Sequence, residues 1–415
     1  MKIKKTDLNT LRELGKKYAE IASLEIQNER ILRYKATNSL EIVRPVVLID
    51  EVPWGEIKAD ELRNTCAPEL GWIEDRLRRN LYQWNHFQVD LVIPPIFRVY
   101  KKIKYLEGIG VSVEEDQIHT PTGTYISSHA YKDQLQTEED LEKLHPPKIM
   151  YDRESTEVDL DIARAVFDGI MEVELSGVEY LSEHIWDDIS RYRGVENLLL
   201  ELATRPEFMH KTAEKFTEIK EGLFTQMEEQ GLFGHSPVTL HCTAGATNEL
   251  PADDFDGVTA RKKDMWGRCS AQIFGSVSPE MHDEFDLPYN QRLFSDCGLL
   301  YYGCCEPLER KIGYLRKRFK NLRKISITPW ADCKMAAENI GSDFVLAAKP
   351  NPAFVATYPF NPAPVEKEIE QFCEACVKNN TPLEFVIKDI STIANRTENL
   401  TRWAETAERV IDRFF

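Results

Sequence analysis

The sequence predicts an α/β protein: a (β/α)8 TIM barrel with an N-terminal helical extension and a β-hairpin insertion. Eight short apolar runs recur along the 415 residues, and most of them are followed by a helical pattern. Alternating strands and helices indicate parallel strands joined by right-handed crossovers, and eight such units suit a closed barrel. No GxGxxG motif follows the first run, which disfavours an open dinucleotide-binding sheet.

The elements are placed by periodicity. Residues 1–44 form the predicted helical extension, because apolar residues recur at three- and four-residue spacing from Leu8 to Leu24. The barrel is predicted over residues 45–415. Its strands are expected at 45–50, 89–95, 177–188, 237–245, 298–307, 323–332, 343–352 and 383–392. Helical patterns lie at 58–84, 195–230, 306–320, 332–341, 364–379 and 396–413.

Two segments interrupt the alternation. Residues 103–150 contain alternating patterns on either side of TPTG (120–123), which is typical of a β-hairpin insertion. Residues 246–297 form a long excursion between the fourth and fifth predicted strands, placed at the barrel mouth.

Composition limits the partners and the compartment. The chain has 52 Lys and Arg against 69 Asp and Glu, a net charge of −17, which disfavours binding to nucleic acid or to an anionic membrane. No signal peptide and no run of 18 apolar residues is found. Nine cysteines without a secretion signal are typical of a reducing compartment. We therefore predict a cytoplasmic protein without nucleic-acid or membrane partners.

The most conspicuous candidate site is the cysteine pair Cys304–Cys305 at the end of the fifth predicted strand. Active sites of (β/α)8 barrels lie at the carboxyl ends of the strands, so this pair is expected at the mouth. It could bind zinc, act as a nucleophile, or be two ordinary buried thiols. Adjacent side chains on an extended chain point to opposite faces, so one cysteine is expected to face the mouth unless a turn reorients them.

Other strand ends carry candidate catalytic residues. His241 follows the fourth strand, and His184 and Asp187 lie three residues apart after the third. Each histidine is a candidate ligand or base, or else a hydrogen-bonded wall residue. Lys349 suits an anionic group, or is a solvated charge. Lys388 is expected to pair with Asp389 or with substrate.

Several segments together resemble one family. They are YYGCCEPLERKI (301–312), ISITPWADCKMAAENIG (325–341), FVLAAKPNPAFVA (344–356), VIKDIST (386–392), LTRWAETAERVI (400–411) and DMWGRCSAQIFGSVSPEMHDEF (264–285). Over roughly residues 40–413 the chain resembles the uroporphyrinogen decarboxylase-like superfamily, in the branch related to cobalamin-dependent methyltransferases. The resemblance implies a (β/α)8 barrel, a corrinoid carried by a partner protein, and a homodimer, which no sequence feature decides.

The resemblance also implies zinc, held in the methyltransferase members by a His-x-Cys and a later Cys. In this chain the His-x-Cys falls on Gly303-Cys304-Cys305 or one residue earlier, without a histidine. The later cysteine falls near Lys388-Asp389, and an acidic ligand of related enzymes falls near Asp332. The metal ligands implied in this way are Cys304, Cys305, Asp332 and Asp389, with His241 as an alternative ligand.

These observations favour a methyltransferase or demethylase. It would move a methyl group between a small methylated substrate and a corrinoid protein, or a thiol or folate acceptor, with help from a metal. The alternatives are a metal-independent decarboxylase or lyase acting on a small acid, and a non-catalytic protein that binds a corrinoid or a small molecule. A true uroporphyrinogen decarboxylase is disfavoured, because its arginine-rich loop is replaced here by the acidic LIDEVPWGE (48–56).

Overall fold

The centre of the molecule is a curled sheet of parallel strands, seen in a computed structural model that describes residues 3–119 and 127–415. The strands, numbered along the chain, are β1 (Val46–Ile49), β2 (Ile96–Tyr100), β3 (Ile103–Glu107), β4 (Glu115–His119), β5 (Ser127–Tyr131), β6 (Lys148–Tyr151), β7 (Glu172–Ser176), β8 (Tyr180–Glu183), β9 (Thr239–Leu240), β10 (Thr243–Ala244), β11 (Trp266–Cys269), β12 (Leu299–Tyr302), β13 (Leu322–Ile327), β14 (Val345–Ala348) and β15 (Leu383–Ile387). Seven of them form the central sheet in the order β1-β15-β14-β13-β12-β11-β8, all parallel.

Helices pack around this sheet. In chain order they are α1 (Lys5–Ala22), α2 (Glu25–Asn38), α3 (Gly71–Phe87), α4 (Glu138–Glu142), α5 (Arg153–Phe167), α6 (Ile185–Arg193), α7 (Val195–Thr204), α8 (Pro206–Glu229), α9 (Pro279–Phe285), α10 (Leu287–Phe294), α11 (Ile312–Arg318), α12 (Cys333–Ile340), α13 (Pro362–Asn379) and α14 (Glu398–Ile411). Because helices cover the sheet, most of its strands are buried on both faces and read as continuous apolar runs. In the described part of the chain no helix is both long and apolar enough to span a bilayer.

Six of the eight predicted strands contain a strand of the central sheet: 45–50, 177–188, 298–307, 323–332, 343–352 and 383–392. The coarse prediction of an α/β fold with a parallel, barrel-like sheet is therefore confirmed. The complete eight-stranded barrel is not seen, since within residues 3–119 and 127–415 the sheet ends at β1 on one side and at β8 on the other.

The prediction of a strand at 89–95 is wrong. This segment runs beside the free edge of β1 as coil, where the Asp90 N–H donates to the Val47 carbonyl at 3.0 Å and the Asp90 carboxylate accepts from the Val47 N–H at 2.8 Å. Pro94 and Pro95 have no N–H to continue a ladder. The strand of this region is β2, which pairs with β7 in a separate two-stranded sheet.

The prediction of a parallel strand at 237–245 is also wrong. The segment forms a tight antiparallel hairpin of β9 and β10 that is packed against the central sheet. Cys242 and Ala244 pack with Val46, Leu48 and Val386, so the hairpin contacts side chains of β1 and β15. The buried pair Lys324 and Glu384, 2.8 Å apart, also bonds to the hairpin, because Lys324 Nζ donates to Thr243 Oγ1 at 2.9 Å.

The excursion at 246–297 contains a strand that its pattern did not predict. β11 lies between β8 and β12 and is the seventh strand of the sheet. It has only four residues, Trp-Gly-Arg-Cys, without a β-branched side chain. Such a segment lacks the composition by which strands are recognised.

The insertion at 103–150 is built of antiparallel strands, as predicted. β3 pairs with β6, and β4 pairs with β5. The turn predicted around 120–123 lies outside the described residues. At the N-terminus, α1 and α2 confirm the helical pattern, while the domain boundary at residue 44 stays a prediction.

Candidate active site at the carboxyl ends of the strands

The ammonium group of Lys388 lies at the centre of the site. Its Nζ atom is 3.1 Å from Cys304 Sγ, 3.2 Å from Cys305 Sγ and 2.5 Å from Asp389 Oδ2. The two sulfurs are 3.7 Å apart, and Cys305 Sγ is 3.2 Å from Asp389 Oδ2. An ammonium has three N–H donors, and here each has its own acceptor. Four residues that sequence reasoning singled out therefore form one cluster.

A turn after β12 brings the two cysteines together. Gly303 has φ of 101°, and a Cβ at this position would lie 2.5 Å from Leu308 Cδ1. Only glycine fits such a backbone without strain. The turn redirects the chain, so the sulfurs do not diverge as an extended strand would require.

Three residues at this site have left-handed backbone without being glycine. They are Glu51 (φ 49°), Cys242 (φ 57°) and Asp389 (φ 54°). Such conformations cost of the order of 1–3 kcal/mol each and are concentrated at functional sites. At Asp389 the conformation brings its carboxylate back to Lys388, and the Asp389 N–H donates to Glu51 Oε2 at 2.9 Å.

The surroundings of Cys304 favour its thiolate form. A hydrogen bond with Cys305 is the largest influence, and a hydrogen bond with His241 and the charges of Lys388 and Arg268 act in the same direction. Together they outweigh burial and hold the pKa of Cys304 well below its ordinary range. The Cys304–Cys305 contact and burial raise the pKa of Cys305, so Cys305 keeps the proton of the pair.

Lys388 stays charged in this cluster. Burial alone would lower the pKa of its ammonium, but Cys304, Asp389 and Cys305 raise the pKa above its ordinary value. The Lys388 side chain is only 3% exposed, whereas the Asp389 side chain is 51% exposed. The cluster thus reaches from the interior to solvent.

The backbone of Cys304 is fixed from two sides. Glu306, which is fully buried, accepts from the Cys304 N–H at 3.0 Å and from the Ala271 N–H at 3.1 Å. Ser326 Oγ donates to the Cys304 carbonyl at 2.8 Å. These bonds join the segments after β11 and β12 to β13, so the position of the thiol does not depend on a flexible loop.

His184 lies behind the cysteine cluster, bound to an arginine that sequence reasoning missed. Burial and the guanidinium of Arg268 lower the pKa of His184 to about 4, so the imidazole is neutral. Its Nε2 accepts from Arg268 Nη1 at 2.6 Å, and its Nδ1 is 2.8 Å from Ser270 Oγ. Arg268 lies on β11 between Gly267 and Cys269, and its charge is one reason why this segment did not predict a buried strand.

His241, at the tip of the β9–β10 hairpin, belongs to a second group. Within residues 3–119 and 127–415, one trio of His, Cys, Asp or Glu side chains has ligand atoms within 4.8 Å of one another: Glu51, His241 and Cys242. His241 Nε2 is 3.8 Å from Glu51 Oε1. Burial raises the pKa of Cys242, and Lys349 Nζ donates to the Cys242 carbonyl at 2.5 Å.

The zinc ligands implied by the family resemblance do not fit a metal ion in this arrangement. The Lys388 ammonium already occupies the space between Cys304, Cys305 and Asp389. Asp332 caps helix α12, where its Oδ1 accepts from the N–H groups of Lys334 and Met335 at 3.0 and 3.1 Å. None of the contacts seen for Asp332 in the described residues joins it to the cysteines.

The two remaining candidate residues, Lys349 and Asp187, have their contacts outside the cysteine cluster. Lys349 is 2% exposed and lies 5.5 Å from the ring centroid of Tyr301, so it is not a solvated charge. Asp187 accepts from the Ile273 N–H at 3.1 Å. Burial and the nearby Glu306 raise the pKa of Asp187 to about 7.

A cavity of about 830 Å³ lies against the segment after β1. Its wall reaches Ile390, which directly follows Asp389 in the chain, but the residues that line it do not include Cys304 or Lys388. Its size suits a small organic molecule. The charged side chains in its wall are Lys58, Arg63, Arg79, Glu56, Asp60 and Asp75, and the Arg79 guanidinium lies 5.5 Å from the centroid of the Trp54 ring.

Comparison with known proteins supports the fold. No family model and no curated protein matches this sequence. The structure is similar to that of a methyltransferase from Methanosarcina mazei, with a TM-score of 0.50 and 12% sequence identity over 93% of this chain and 98% of that chain. At this identity the likeness shows a shared architecture, while membership of the uroporphyrinogen decarboxylase-like superfamily stays a prediction.

Proposed function

We propose that the chain is a methyltransferase that acts on a small methylated substrate at the carboxyl ends of its strands, with the Cys304 thiolate as the methyl-accepting nucleophile. The observation that carries the proposal is the contact of Cys304 Sγ with Lys388 Nζ at 3.1 Å. The neighbouring Cys305 has a raised pKa and keeps its proton. A thiolate, not a thiol, is the nucleophilic form of cysteine. The similarity in fold to a methyltransferase is consistent with it.

The proposed step is a displacement at the methyl carbon. A lone pair of Cys304 Sγ forms the new S–C bond, while the bond between the methyl group and its carrier atom breaks and leaves its electron pair on the carrier. When the carrier is a positively charged nitrogen or sulfur, it leaves neutral and no proton is required. The products are S-methylcysteine and the demethylated carrier.

Each neighbour of Cys304 has a role in this step. Lys388 holds the thiolate in place through one of its N–H donors, and Cys305 Sγ lies 3.7 Å from the thiolate sulfur. Glu306 and Ser326 fix the backbone, so that the sulfur is positioned before substrate arrives. The cavity that Ile390 lines, one residue along the chain from Asp389, is the proposed substrate site.

The proposal also includes a partner protein that carries a corrinoid. A corrinoid carried by another protein would supply a methyl donor or acceptor, and the half-exposed side of the cluster at Asp389 and His241 is where such a partner would approach. A thiol or folate acceptor is the alternative. The predicted homodimer is kept as part of the proposal.

The test is methylation of the full chain itself. Purified protein is incubated with a trimethylsulfonium salt or with methylcobalamin, and peptide mass spectrometry locates any added methyl group. We expect methylation of Cys304, absent in Cys304→Ser and retained in Cys66→Ser, which removes a half-buried cysteine whose thiol pKa is raised by burial. Methylation spread over several cysteines, or none at Cys304 with either donor, would overturn the proposal.

A further inference from the structure

We infer that the ammonium group of Lys388 takes the place of a metal ion between Cys304, Cys305 and Asp389, so that these three side chains bind a lysine and no zinc ion. The inference concerns which cation contacts the Cys304 sulfur. It holds or fails independently of methyl transfer, because its tests use simple alkylation and metal binding.

The acceptor atoms around Lys388 are not all spaced for one zinc ion. The distances from Nζ to the two sulfurs, 3.1 and 3.2 Å, are those of hydrogen bonds. With zinc–sulfur bonds of about 2.3 Å and zinc–carboxylate bonds of about 2.0–2.2 Å, neighbouring ligand atoms of a tetrahedral site lie about 3.5–3.8 Å apart. The two sulfurs, at 3.7 Å, and Cys305 Sγ and Asp389 Oδ2, at 3.2 Å, are already this close. Among the described residues, however, these three side chains do not form a group whose ligand atoms all lie within 4.8 Å of one another, so Cys304 Sγ and the Asp389 carboxylate would have to approach each other for one zinc ion to bind all three.

Every N–H group of the Lys388 ammonium has a hydrogen-bond acceptor. Cys304, Cys305 and Asp389 each accept from the ammonium, so all three of its N–H groups are used. A buried ammonium is stable only when it is paired and hydrogen-bonded. The positive charge of Lys388 is paired with the Asp389 carboxylate and the Cys304 thiolate. These are the negative charges that a metal cation at the same place would balance.

Lys388 is held at the end of a buried strand. The residue directly follows β15, and its side chain is 3% exposed. A divalent ion placed among the same three acceptors would lie within a few ångströms of this charge and repel it. Lys388 would then need a new partner, and its side chain is enclosed by the cluster it already binds.

Several charged groups lie near Cys304, and all of them influence how its reactivity depends on pH. Cations and hydrogen-bond donors that favour the thiolate are Lys388, Arg268, His241 and Cys305. Groups whose negative charge opposes it are Asp389 and the buried Glu306. Tyr301 and the neutral His184 also lie near the sulfur. The Lys388 contribution is therefore separable only by changing Lys388 itself.

The test follows the alkylation rate of Cys304 by iodoacetamide against pH, in the full chain with and without a chelator. Lys388→Met removes the charge, and Lys388→Arg keeps it. We expect the midpoint of the profile to rise by at least about one pH unit in Lys388→Met, a tenfold loss of rate below the midpoint. Lys388→Arg keeps the charge and should restore part of the rate that is lost in Lys388→Met, and the chelator should change nothing.

Metal binding provides a second test, and its first arm uses the wild-type protein. Zinc chloride added at one equivalent should leave the alkylation of wild-type Cys304 unchanged. In Lys388→Cys the ammonium is replaced by a third thiol, so zinc should bind and protect Cys304. Equal wild-type and Lys388→Met profiles would overturn the inference. One equivalent of tightly held metal in wild-type protein that is lost in Cys304→Ser would also overturn it.

Discussion

The carboxylate of Glu306 accepts a hydrogen bond from the backbone N–H of Cys304, at 3.0 Å. Its second oxygen accepts from the N–H of Ala271, at 3.1 Å, so one buried side chain joins the segments that follow β11 and β12. Burial raises the pKa of Glu306, so its negative charge is disfavoured where it lies. The reactive thiol is thus positioned by a residue that does not itself reach solvent.

Replacing Glu306 should destabilise the protein. Glu306→Ala leaves two buried N–H groups without an acceptor, at about 1–3 kcal/mol each. Glu306→Gln keeps one acceptor and should cost less. Urea unfolding measures both, with Glu338→Gln as a surface control expected to change stability by less than about 0.5 kcal/mol. If Glu306→Ala unfolds at the same urea concentration as the control, Glu306 is not a structural link.

Gly303 should tolerate no side chain. In Gly303→Ala the left-handed backbone and the contact with Leu308 together should cost about 1–3 kcal/mol or more. They should also slow alkylation of Cys304, because the turn sets the position of the sulfur. The matched control is Gly313→Ala on helix α11, where a Cβ meets no atom within 4 Å and should gain up to about 1 kcal/mol. Equal stability of the two variants would contradict this reading of the turn.

Asp187 should make stability fall with rising pH. Its pKa is about 7 in the folded chain and 3.8 as the ordinary value, so the folded state binds the proton more tightly. Its contribution is therefore complete below about pH 4 and is lost as pH rises to about 7, by at most about 1.4 kcal/mol per pH unit. Urea unfolding at several pH values should show wild type losing stability relative to Asp187→Asn across this window. A constant difference between the two proteins would exclude this coupling.

The fold was predictable where strands are buried on both faces. β1, β14 and β15 have entirely or largely apolar sequences, which predicted them within a few residues. The hairpin at β9 and β10 was not predictable, because it depends on residues that lie far away in sequence: Lys324 donates a hydrogen bond to Thr243, and Glu384 accepts one from the Ala244 N–H. β11 was missed because an arginine and a glycine fill half of its four positions.

The site was predictable in membership but not in arrangement. Carboxyl ends of parallel strands meet at one edge, which is why Cys304, Cys305, Lys388 and Asp389 are found together. The sequence does not show whether Lys388 lies at the centre of a cluster or in solvent. Its position depends on two turns with left-handed backbone, at Gly303 and Asp389, which bring the cysteines and the carboxylate to its ammonium group. Asp332 carried a usable signal, since an aspartate before an apolar-periodic segment is typical of a helix cap.

The most direct test of the account is the far-ultraviolet absorbance of the Cys304 thiolate, measured as a difference between wild type and Cys304→Ser over a range of pH. We predict that wild type already carries this absorbance at about pH 6 and that Cys304→Ser lacks it, since Lys388, His241 and Cys305 stabilise the thiolate. A difference that develops only near pH 8.5, about where a free cysteine ionises, would contradict the central claim.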